Sequence, residues 1–314
     1  MTASSAPESG SLQRRVGLML RDIKLAHSVF ALPFAVLAAF LAAPRLAAPD
    51  RPGIDWSAFS LQLALIVVCM VLARTWAMIV NRLADRNFDA KNPRTARRAL
   101  ASGSVPPRFA SALALGCALL FVAATLGFLT VNRNWLPVAL SVPVLAWIAL
   151  YSYTKRFTWA CHLFLGGALA ASPVAAAIAI NPASLAQHPG IPAVAAMVLF
   201  WVAGFDVIYA LQDIDFDRES GLRSIPARFG WRRAITLSRI LHVLAFAALM
   251  LAARFEPAFG LVFMVACGLG GILLICEHAL LARRGKAGLE MAFFTVNGFY
   301  SCLLGLAGCI DALN

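Results

Sequence analysis

The sequence predicts an all-α membrane protein with about nine transmembrane helices, arranged as two related halves. Of its 314 residues, 61% are hydrophobic and 13% are charged, and the mean hydropathy is +0.78. A soluble domain has about 25% charged residues, so this composition excludes one. Apolar runs of the length that crosses a bilayer as a helix recur nine times along the chain.

The nine predicted spans set the topology. They cover 25–43, 58–80, 109–130, 135–151, 159–180, 191–211, 236–254, 258–282 and 290–312. An odd number of spans places the two ends of the chain on opposite sides. With the N-terminus inside, inner segments carry 22 of the 27 lysines and arginines, four lie outside and Arg74 lies within a span. The positive-inside rule therefore predicts a cytoplasmic N-terminus.

The segment before the first span is predicted to be separate from the membrane domain. Residues 1–22 are interpreted as a tail and a surface helix, and 23–314 as a single transmembrane domain. Apolar residues recur at helical spacing among basic ones, at Leu12, Val16, Met19 and Ile23, which is typical of a helix on the inner membrane surface. The net charge of +12 lies in short loops between apolar spans, so the lipid bilayer is the expected partner and nucleic acid is not.

An acidic motif closes the second span. Asn81, Asp85 and Asp89 recur every four residues and therefore stack on one face of a helix. Two carboxylates at this spacing repel each other unless a positive group lies between them. Arg74, two turns before Asn81, extends this face into the span, where an ionisable residue is a functional-site hypothesis by default.

A second acidic motif closes the sixth span and repeats the first. The eight residues from Arg82, RLADRNFD, align with ALQDIDFD 128 residues later, which matches Asp85 with Asp213 and Asp89 with Asp217. Both copies end an even-numbered span and are predicted to face the same side. Their separation by four spans predicts the two related halves.

The second motif also extends back into the membrane. Asp206, Tyr209, Asp213 and Asp217 are spaced to share one helical face. Asp206 lies about two turns into an apolar segment, where a carboxylate is costly. Asp215 lies off this face and is interpreted as a cap or a solvated residue.

Carboxylates gathered at the inner mouth of a helical bundle favour a divalent cation. Oxygen ligands with open positions suit Mg²⁺, which binds through carboxylates together with substrate phosphates. Basic side chains suited to phosphate oxygens lie nearby, at Lys24, Arg94, Lys155, Arg156, Arg223 and Arg228. The sequence therefore predicts a diphosphate bridged to the aspartates by Mg²⁺ and attached to a group apolar enough to lie in the bilayer.

These motifs resemble those of the UbiA superfamily of intramembrane aromatic prenyltransferases. NRLADRNFD fits N-x-x-x-D-x-x-x-D, and DVIYALQDIDFD fits D-x-x-Y-x-x-x-D-x-x-x-D. The resemblance extends to IKLAHSVFALPFA, NPRTARRALASG, YSYTKRFT and GLRSIPARFG, and is closest to the bacterial 4-hydroxybenzoate polyprenyltransferase-like branch. That branch includes enzymes of menaquinone synthesis that act on a dihydroxynaphthoate. One departure is Ala99, where many relatives have proline.

The resemblance implies a fold and a set of site residues. Nine helices would surround a central cavity that is open sideways to lipid in the bacterial inner membrane, with the acidic motifs on the cytoplasmic side. The implied metal ligands are Asp85, Asp89, Asp213 and Asp217. The implied catalytic residues are Asp206, Lys155 and Tyr209, and the implied substrate-binding residues are Arg74, Asn81, Lys24, Lys155 and Arg94.

The resemblance also implies a reaction. Mg²⁺ would assist transfer of a polyprenyl chain from polyprenyl diphosphate to a ring carbon of an aromatic acid, in ubiquinone or menaquinone biosynthesis. A 1,4-dihydroxy-6-naphthoate acceptor stays open as an alternative, and no obligatory protein partner is inferred. Asp206 has two open roles, accepting a proton or holding metal. Arg74 also has two, binding the carboxylate of the acceptor or balancing a buried aspartate such as Asp206.

Two other classes of protein share some of these features. Repeats and intramembrane charges are typical of transporters, but here the carboxylates crowd the inner mouth beside basic loops. Phosphatidyltransferases that use CDP-alcohols carry membrane aspartates in a single glycine-punctuated motif, which this sequence lacks. The membrane histidines are interpreted as packed or interfacial, at His27, His162, His242 and His278.

Overall fold

The computed structural model is helical throughout the part of the chain that it describes. The described residues are 12–23, 30–45, 53–289 and 291–314. They hold no β-strand, only one isolated backbone bridge. The predicted tail before Leu12 lies outside the described residues. Lys24 and His27, between α1 and α2, also lie outside them.

The helices follow the predicted spans in order. They are α1 (Leu12–Ile23), α2 (Leu32–Leu41), α3 (Trp56–Lys91), α4 (Pro107–Asn132), α5 (Leu136–Thr154), α6 (Cys161–Ile180), α7 (Ser184–Gln187), α8 (Gly190–Ala210), α9 (Ile214–Glu219), α10 (Ile225–Phe255), α11 (Leu261–Arg284) and α12 (Asn297–Leu313). A 3-10 turn, Leu211–Asp213, joins α8 to α9, and a π-helical segment, Met291–Val296, precedes α12.

The number of spans agrees with the sequence. Eight described helical runs are long and apolar enough to cross a membrane: α3 to α6, and the runs that contain α8, α10, α11 and α12. The described part of α2 is apolar but only ten residues long, and it occupies the first predicted span. An all-α membrane protein with about nine spans is therefore confirmed.

Helix α3 continues well beyond the apolar segment. It begins at the N-cap Asp55, whose carboxylate accepts a hydrogen bond from the Ser57 N–H at 3.1 Å. It ends at Lys91, about three turns past the predicted end of the span. The first acidic motif therefore lies on a rigid helix rather than in a loop, and its predicted four-residue spacing is realised.

Helix α8 is the central helix of the bundle. It packs against α6 and α10, and Trp201 near its middle is fully buried. At Gly166 of α6 the two backbones approach so closely that a Cβ atom would collide with the Leu199 carbonyl oxygen of α8. Small residues allow such approaches between membrane helices, where packing drives association.

A buried polar chain joins α8, α11 and α12. Glu277, which the sequence analysis passed over, accepts a hydrogen bond from the Asn297 amide nitrogen at 2.9 Å. The Asn297 carbonyl oxygen in turn accepts from the Trp201 indole N–H at 2.6 Å. Glu277 and Asn297 are fully buried, so these bonds satisfy polar groups that would otherwise be costly in the membrane.

Helix α1 forms as predicted, and one of its faces packs on the protein. Met19 and Ile23 are fully buried in a cluster with Ile79 of α3 and residues of the loop that follows α3. The Asp22 carboxylate accepts a hydrogen bond from the Ala99 backbone N–H at 2.5 Å. Proline has no such N–H, so the departure at Ala99 from the resembled pattern supplies this donor. Helix α1 therefore supports the loop 92–106.

We predict that Gly166→Ala lowers the apparent melting temperature of the detergent-purified protein. The added Cβ must push α6 away from the α8 backbone, and overpacking of this kind costs about 1–3 kcal/mol.

Gly116→Ala in α4 is the matched control for this substitution. No atom lies within 4 Å of the position of its Cβ, so the melting temperature should not fall. Equal melting of Gly166→Ala and the wild-type protein would show that the α6–α8 approach is not tight.

Candidate active site

The two acidic motifs meet at one end of the bundle, and Arg94 joins them. Arg94 lies in the loop after α3, and its Nε and Nη2 donate to the two carboxylate oxygens of Asp213 at 3.0 and 2.6 Å. The Asn92 amide donates to the same carboxylate at 3.1 Å, and Arg94 Nη1 donates to the Tyr209 hydroxyl at 3.2 Å. The loop of the first motif thus lies against the second, as their places at the ends of even-numbered spans predict.

The carboxylates of the first motif have neighbouring partners. The Asn81 amide donates to Asp85 at 3.0 Å, one helical turn away. Arg98 Nη1 lies 2.8 Å from both carboxylate oxygens of Asp89. The Arg156 guanidinium lies 4.0 Å from Asp85, at the limit of an ion pair. Basic side chains thus lie beside both carboxylates, but burial and the negative charge of Asp89 still raise the pKa of Asp85 to about 6.

In the second motif, Asp217 is anchored from two directions. Its carboxylate accepts from the Ser224 hydroxyl at 2.8 Å and lies 3.6 Å from the Lys155 ammonium. Ser224 is also the N-cap of α10 and accepts from the Ala227 N–H at 3.2 Å. The loop after α5 is fixed beside it, because the Arg223 N–H donates to the Lys155 carbonyl at 2.7 Å.

The face predicted to run from Asp206 to Asp217 is interrupted. Helix α8 ends at Ala210, and the 3-10 turn Leu211–Asp213 precedes α9. A 3-10 turn has about 3.0 residues instead of 3.6, so Asp217 is rotated relative to the face of Asp206. The turn presents the Asp213 carboxylate to Arg94 and Asn92.

Carboxylate oxygens dominate the donor set at this end of the bundle. Within the described residues, no three His, Cys, Asp or Glu side chains converge on a point that would hold a metal ion. Mg²⁺ takes oxygen ligands, often only one or two carboxylates completed by water and substrate phosphates. Asp85, Asp89, Asp213 and Asp217 therefore fit an ion bound together with a phosphate group, not a preformed protein cage.

Two cations beside these carboxylates are held in their charged forms. Burial opposes the charge on Lys155, but the carboxylates around it, Asp217 foremost, outweigh burial and raise its pKa. Burial likewise opposes the charge on Arg94, while its hydrogen bonds to Asp213 and the charge of that carboxylate raise the Arg94 pKa. Lys155 and Arg94 are therefore permanent positive charges at the site.

An apolar cavity of about 340 Å³ opens between α3, α4, α5 and α6. Arg74 lines it two turns before Asn81, as the sequence predicted, and Tyr151 lines it from α5. Arg74 Nε is buried without a hydrogen-bond partner, and none of the ion pairs found in the described part of the chain involves Arg74. We call this cavity the chamber.

Asp206 is paired with His162. His162 Nδ1 lies 2.6 Å from an Asp206 carboxylate oxygen, and His162 is fully buried. His162 is therefore packed, as interpreted from the sequence, but its bond to Asp206 was not predicted. The available signal was its place near the inner end of the fifth span, beside the span that carries Asp206. The balancing role considered for Arg74 is not realised at Asp206, because His162 holds that carboxylate.

Three other predicted phosphate ligands contact aromatic rings or backbone carbonyls. Arg156 stacks on the Phe88 and Tyr153 rings. Arg223 Nη1 donates to the Phe157 carbonyl at 2.8 Å, and Arg228 stacks on the rings of Trp159 and Phe229. The contacts of Arg223 and Arg228 shape the loop after α5, whereas Arg156 also lies 4.0 Å from Asp85 at the edge of the carboxylate cluster.

The chain is similar in sequence and in fold to known proteins. The model of the UbiA prenyltransferase family matches residues 31–303. A 4-hydroxybenzoate octaprenyltransferase of Aeromonas salmonicida is 33% identical over 241 residues, 75% of this chain and 78% of that protein. The apo structure of a UbiA homolog from Aeropyrum pernix K1 is 30% identical with a TM-score of 0.77, over 92% of this chain and 98% of that one.

A more distant structure shares the fold. A UbiA homolog from Archaeoglobus fulgidus bound to GPP and Mg²⁺ is 17% identical, with a TM-score of 0.69 over 94% of this chain and 99% of that one. At this identity the likeness shows only that the helices are arranged alike.

We predict that Ser224→Ala lowers the apparent melting temperature, because it removes both the N-cap of α10 and a partner of the buried Asp217. Loss of an N-cap alone costs about 1 kcal/mol. Thr236→Ala on the same helix serves as the control, because it removes an exposed hydroxyl whose only hydrogen bond within the described residues is to the Arg232 carbonyl. If both variants melt alike, Ser224 does not anchor this end of the helix.

Proposed function

The chain belongs to the UbiA prenyltransferase family, and we propose that it transfers a polyprenyl chain from polyprenyl diphosphate to a ring carbon of an aromatic acid. One observation carries the proposal: the two acidic motifs and Arg94 meet at the C-terminal end of α3. Two turns before the first motif, the same helix places Arg74 in the lining of an apolar chamber. The relative from Aeromonas salmonicida, named for 4-hydroxybenzoate and an octaprenyl chain, supports this substrate pair.

The diphosphate end of the donor would lie among the motif residues. Asp85, Asp89, Asp213 and Asp217 would hold Mg²⁺, which when bound would supply positive charge to stabilise the leaving diphosphate. The Archaeoglobus fulgidus homolog bound to GPP and Mg²⁺ supports this choice of ion. Lys155 and Arg94 would contact the phosphate oxygens directly, a role supported by their ion pairs with Asp217 and Asp213 of the second motif.

The prenyl chain and the acceptor ring would share the chamber. Departure of the diphosphate leaves an allylic cation, which water would quench. The walls of the chamber are built almost entirely from apolar side chains of α3 to α6, so they exclude water from this cation. The ring carbon beside the acceptor hydroxyl then forms the new C–C bond.

Arg74 and Asp206 suit the two polar groups of the acceptor. Arg74 Nε has no hydrogen-bond partner among the described residues, and the planar guanidinium offers paired N–H donors to a carboxylate. Asp206 has one oxygen on His162 and no other hydrogen bond within the described residues, so it is available to accept the proton that the acceptor releases. Tyr209, bonded to Arg94, would orient that arginine.

The proposal includes the setting of the protein. It places residues 23–314 as one prenyltransferase domain in the bacterial inner membrane, with a cytoplasmic N-terminus and the acidic motifs on the cytoplasmic side. The excess of lysine and arginine in the inner segments supports this orientation. The pathway would be ubiquinone or menaquinone biosynthesis.

One assay tests the reaction and chooses the acceptor. Membranes containing the protein are incubated with Mg²⁺, a long prenyl diphosphate and either 4-hydroxybenzoate or 1,4-dihydroxy-6-naphthoate, and the product is identified by mass. Product from the first acceptor supports the favoured assignment, and product from the second alone supports the menaquinone alternative. Absence of any prenylated product, with both substrates unconsumed, would overturn prenyl transfer.

We predict that Asp85→Asn and Asp213→Asn each lower kcat by about 10²–10³-fold, because a lost carboxylate ligand weakens stabilisation of the leaving diphosphate. Asn keeps the shape of each side chain, so both variants should stay folded and inserted. Turnover is measured at saturating Mg²⁺.

Asp215→Asn is the control for these variants. Asp215 is exposed and lies between the motif positions Asp213 and Asp217. Its replacement should leave kcat within about twofold, the scatter expected of a surface substitution. Near-normal turnover of Asp85→Asn or Asp213→Asn would refute the two-motif metal site.

We predict that Arg74→Lys raises KM for the aromatic acid much more than KM for the prenyl diphosphate. Lysine keeps the charge but loses the planar fork that binds a carboxylate through two hydrogen bonds. Both constants are measured with the same membranes. Unchanged constants, or an equal rise in both, would remove Arg74 from acceptor recognition.

A further inference from the structure

His162 lies between Asp206 on α8 and the start of α10, which also holds the second acidic motif. Its imidazole is fully buried at the start of α6. Nδ1 lies 2.6 Å from one oxygen of Asp206, on α8. The Asp206 side chain keeps 21% of its surface exposed, and its other oxygen makes no hydrogen bond to any described residue. One oxygen is thus held and the other is accessible.

The other ring nitrogen of His162 determines which atom carries the proton. The Ile225 backbone N–H donates to His162 Nε2 at 3.3 Å. Ile225 is the first residue of α10, so this N–H is one of the donors that a helix cannot satisfy internally. Because Nε2 accepts this bond, the neutral ring carries its hydrogen on Nδ1 and donates it to Asp206.

The same helix start also holds the second motif. Ser224, the residue before Ile225, donates to the Asp217 carboxylate at 2.8 Å. The N-cap Ser224 therefore holds Asp217 directly, and Ile225 holds Asp206 through His162. This arrangement sets the position of Asp206 relative to the diphosphate end of the site.

We infer that His162 is a positioning residue for the proposed prenyl transfer, on which this inference rests. It holds one oxygen of Asp206 through Nδ1–H so that the other oxygen accepts the proton of the aromatic acid. In that step the acceptor hydroxyl loses its proton to Asp206 and the ring carbon beside it bonds to the prenyl carbon. The prenyl C–O bond breaks, and its electron pair leaves with the diphosphate. The ring then loses the proton of the substituted carbon to the departed diphosphate, and Asp206 returns its proton to the ring oxygen, which restores the hydroxyl.

A purely structural histidine would behave differently. If His162 only packed α6 against α10, its loss would lower stability and affect both substrates alike. A positioning role predicts a selective fall in kcat, because the geometry of proton transfer is disturbed while the diphosphate ligands remain in place. Residues that orient a metal ligand typically contribute about 10–100-fold in activity, and we expect a similar effect for a residue that orients a proton acceptor.

Two amide variants separate the two ring nitrogens. In His162→Asn the side-chain amide can take the place of Nδ1–H and donate to Asp206. In His162→Gln the amide reaches the place of Nε2, and the donor to Asp206 is lost. We expect His162→Gln to lower kcat about 10–100-fold with KM for prenyl diphosphate unchanged, and His162→Asn to retain most of the wild-type kcat.

The control is His188→Gln. His188 is bonded to Glu256 at the opposite end of the bundle, 2.9 Å from its carboxylate, and its replacement should not change kcat. The melting temperature of every variant is measured in the same detergent. If His162→Gln does not fold, the folded His162→Asn variant decides the question by its kcat.

The outcomes divide clearly. Wild-type kcat in His162→Gln, or equal losses in His162→Asn and His162→Gln, would overturn the positioning role while leaving prenyl transfer intact. Failure of both variants to fold would also overturn it, since a structural role then suffices. A wild-type protein that makes no prenylated product overturns the proposed function itself, and the His162 inference falls with it.

Discussion

The candidate site depends on the paired hydrogen bonds between Arg94 and Asp213. They join a loop of the first half to the end of α8 in the second half, across 119 residues of sequence. A carboxylate has about four lone-pair sites, and the two oxygens of Asp213 use only some of them on Arg94 and Asn92. Asp213 can therefore stay bonded to Arg94 and still offer an oxygen to a metal ion. The pair brings the two motifs together without removing Asp213 from the site.

Charged side chains are concentrated at one end of the helical bundle. Carboxylates and basic side chains crowd one end, while the chamber between α3 and α6 is apolar and has Arg74 as the one charged residue among its described lining. This distribution separates two requirements of the proposed chemistry. A leaving diphosphate needs fixed charges, whereas an allylic cation needs a dry environment without nucleophiles. Helix α3 serves both, because its inner turns line the chamber and its last turns carry the first motif.

The sequence was sufficient for features that depend on local periodicity. The order of the spans followed from apolar length, and the stacking of Asn81 above Asp85 followed from the helical repeat. It was insufficient where distant residues decide the conformation. The 3-10 turn before Asp213 occurs where Arg94 and Asn92 bind that carboxylate, and no local pattern encodes those contacts.

Contacts between distant residues also determine two other features, the packing of α1 and the partner of Asp206. The amphipathic pattern of α1 predicts an apolar face but does not distinguish a membrane surface from a protein surface, and Met19 turned out to be buried in protein. The pairing of His162 with Asp206 depends on how α6 crosses α8, which sequence spacing does not give. Each of these features involves residues more than 40 positions apart.

The two copies of the motif are alike in their carboxylates and unlike in what supports them. Asp89 of the first copy is held by Arg98, nine residues later in its own loop. Asp213 of the second copy is held by Arg94 from the other half, and Asp217 by Lys155 from the loop after α5. The first motif can therefore keep its arrangement through local contacts, whereas the second acquires its arrangement only when the halves are packed. The two similar motifs thus form one asymmetric site. The second half supplies the intramembrane carboxylate, Asp206, and its motif depends on correct packing of the two halves.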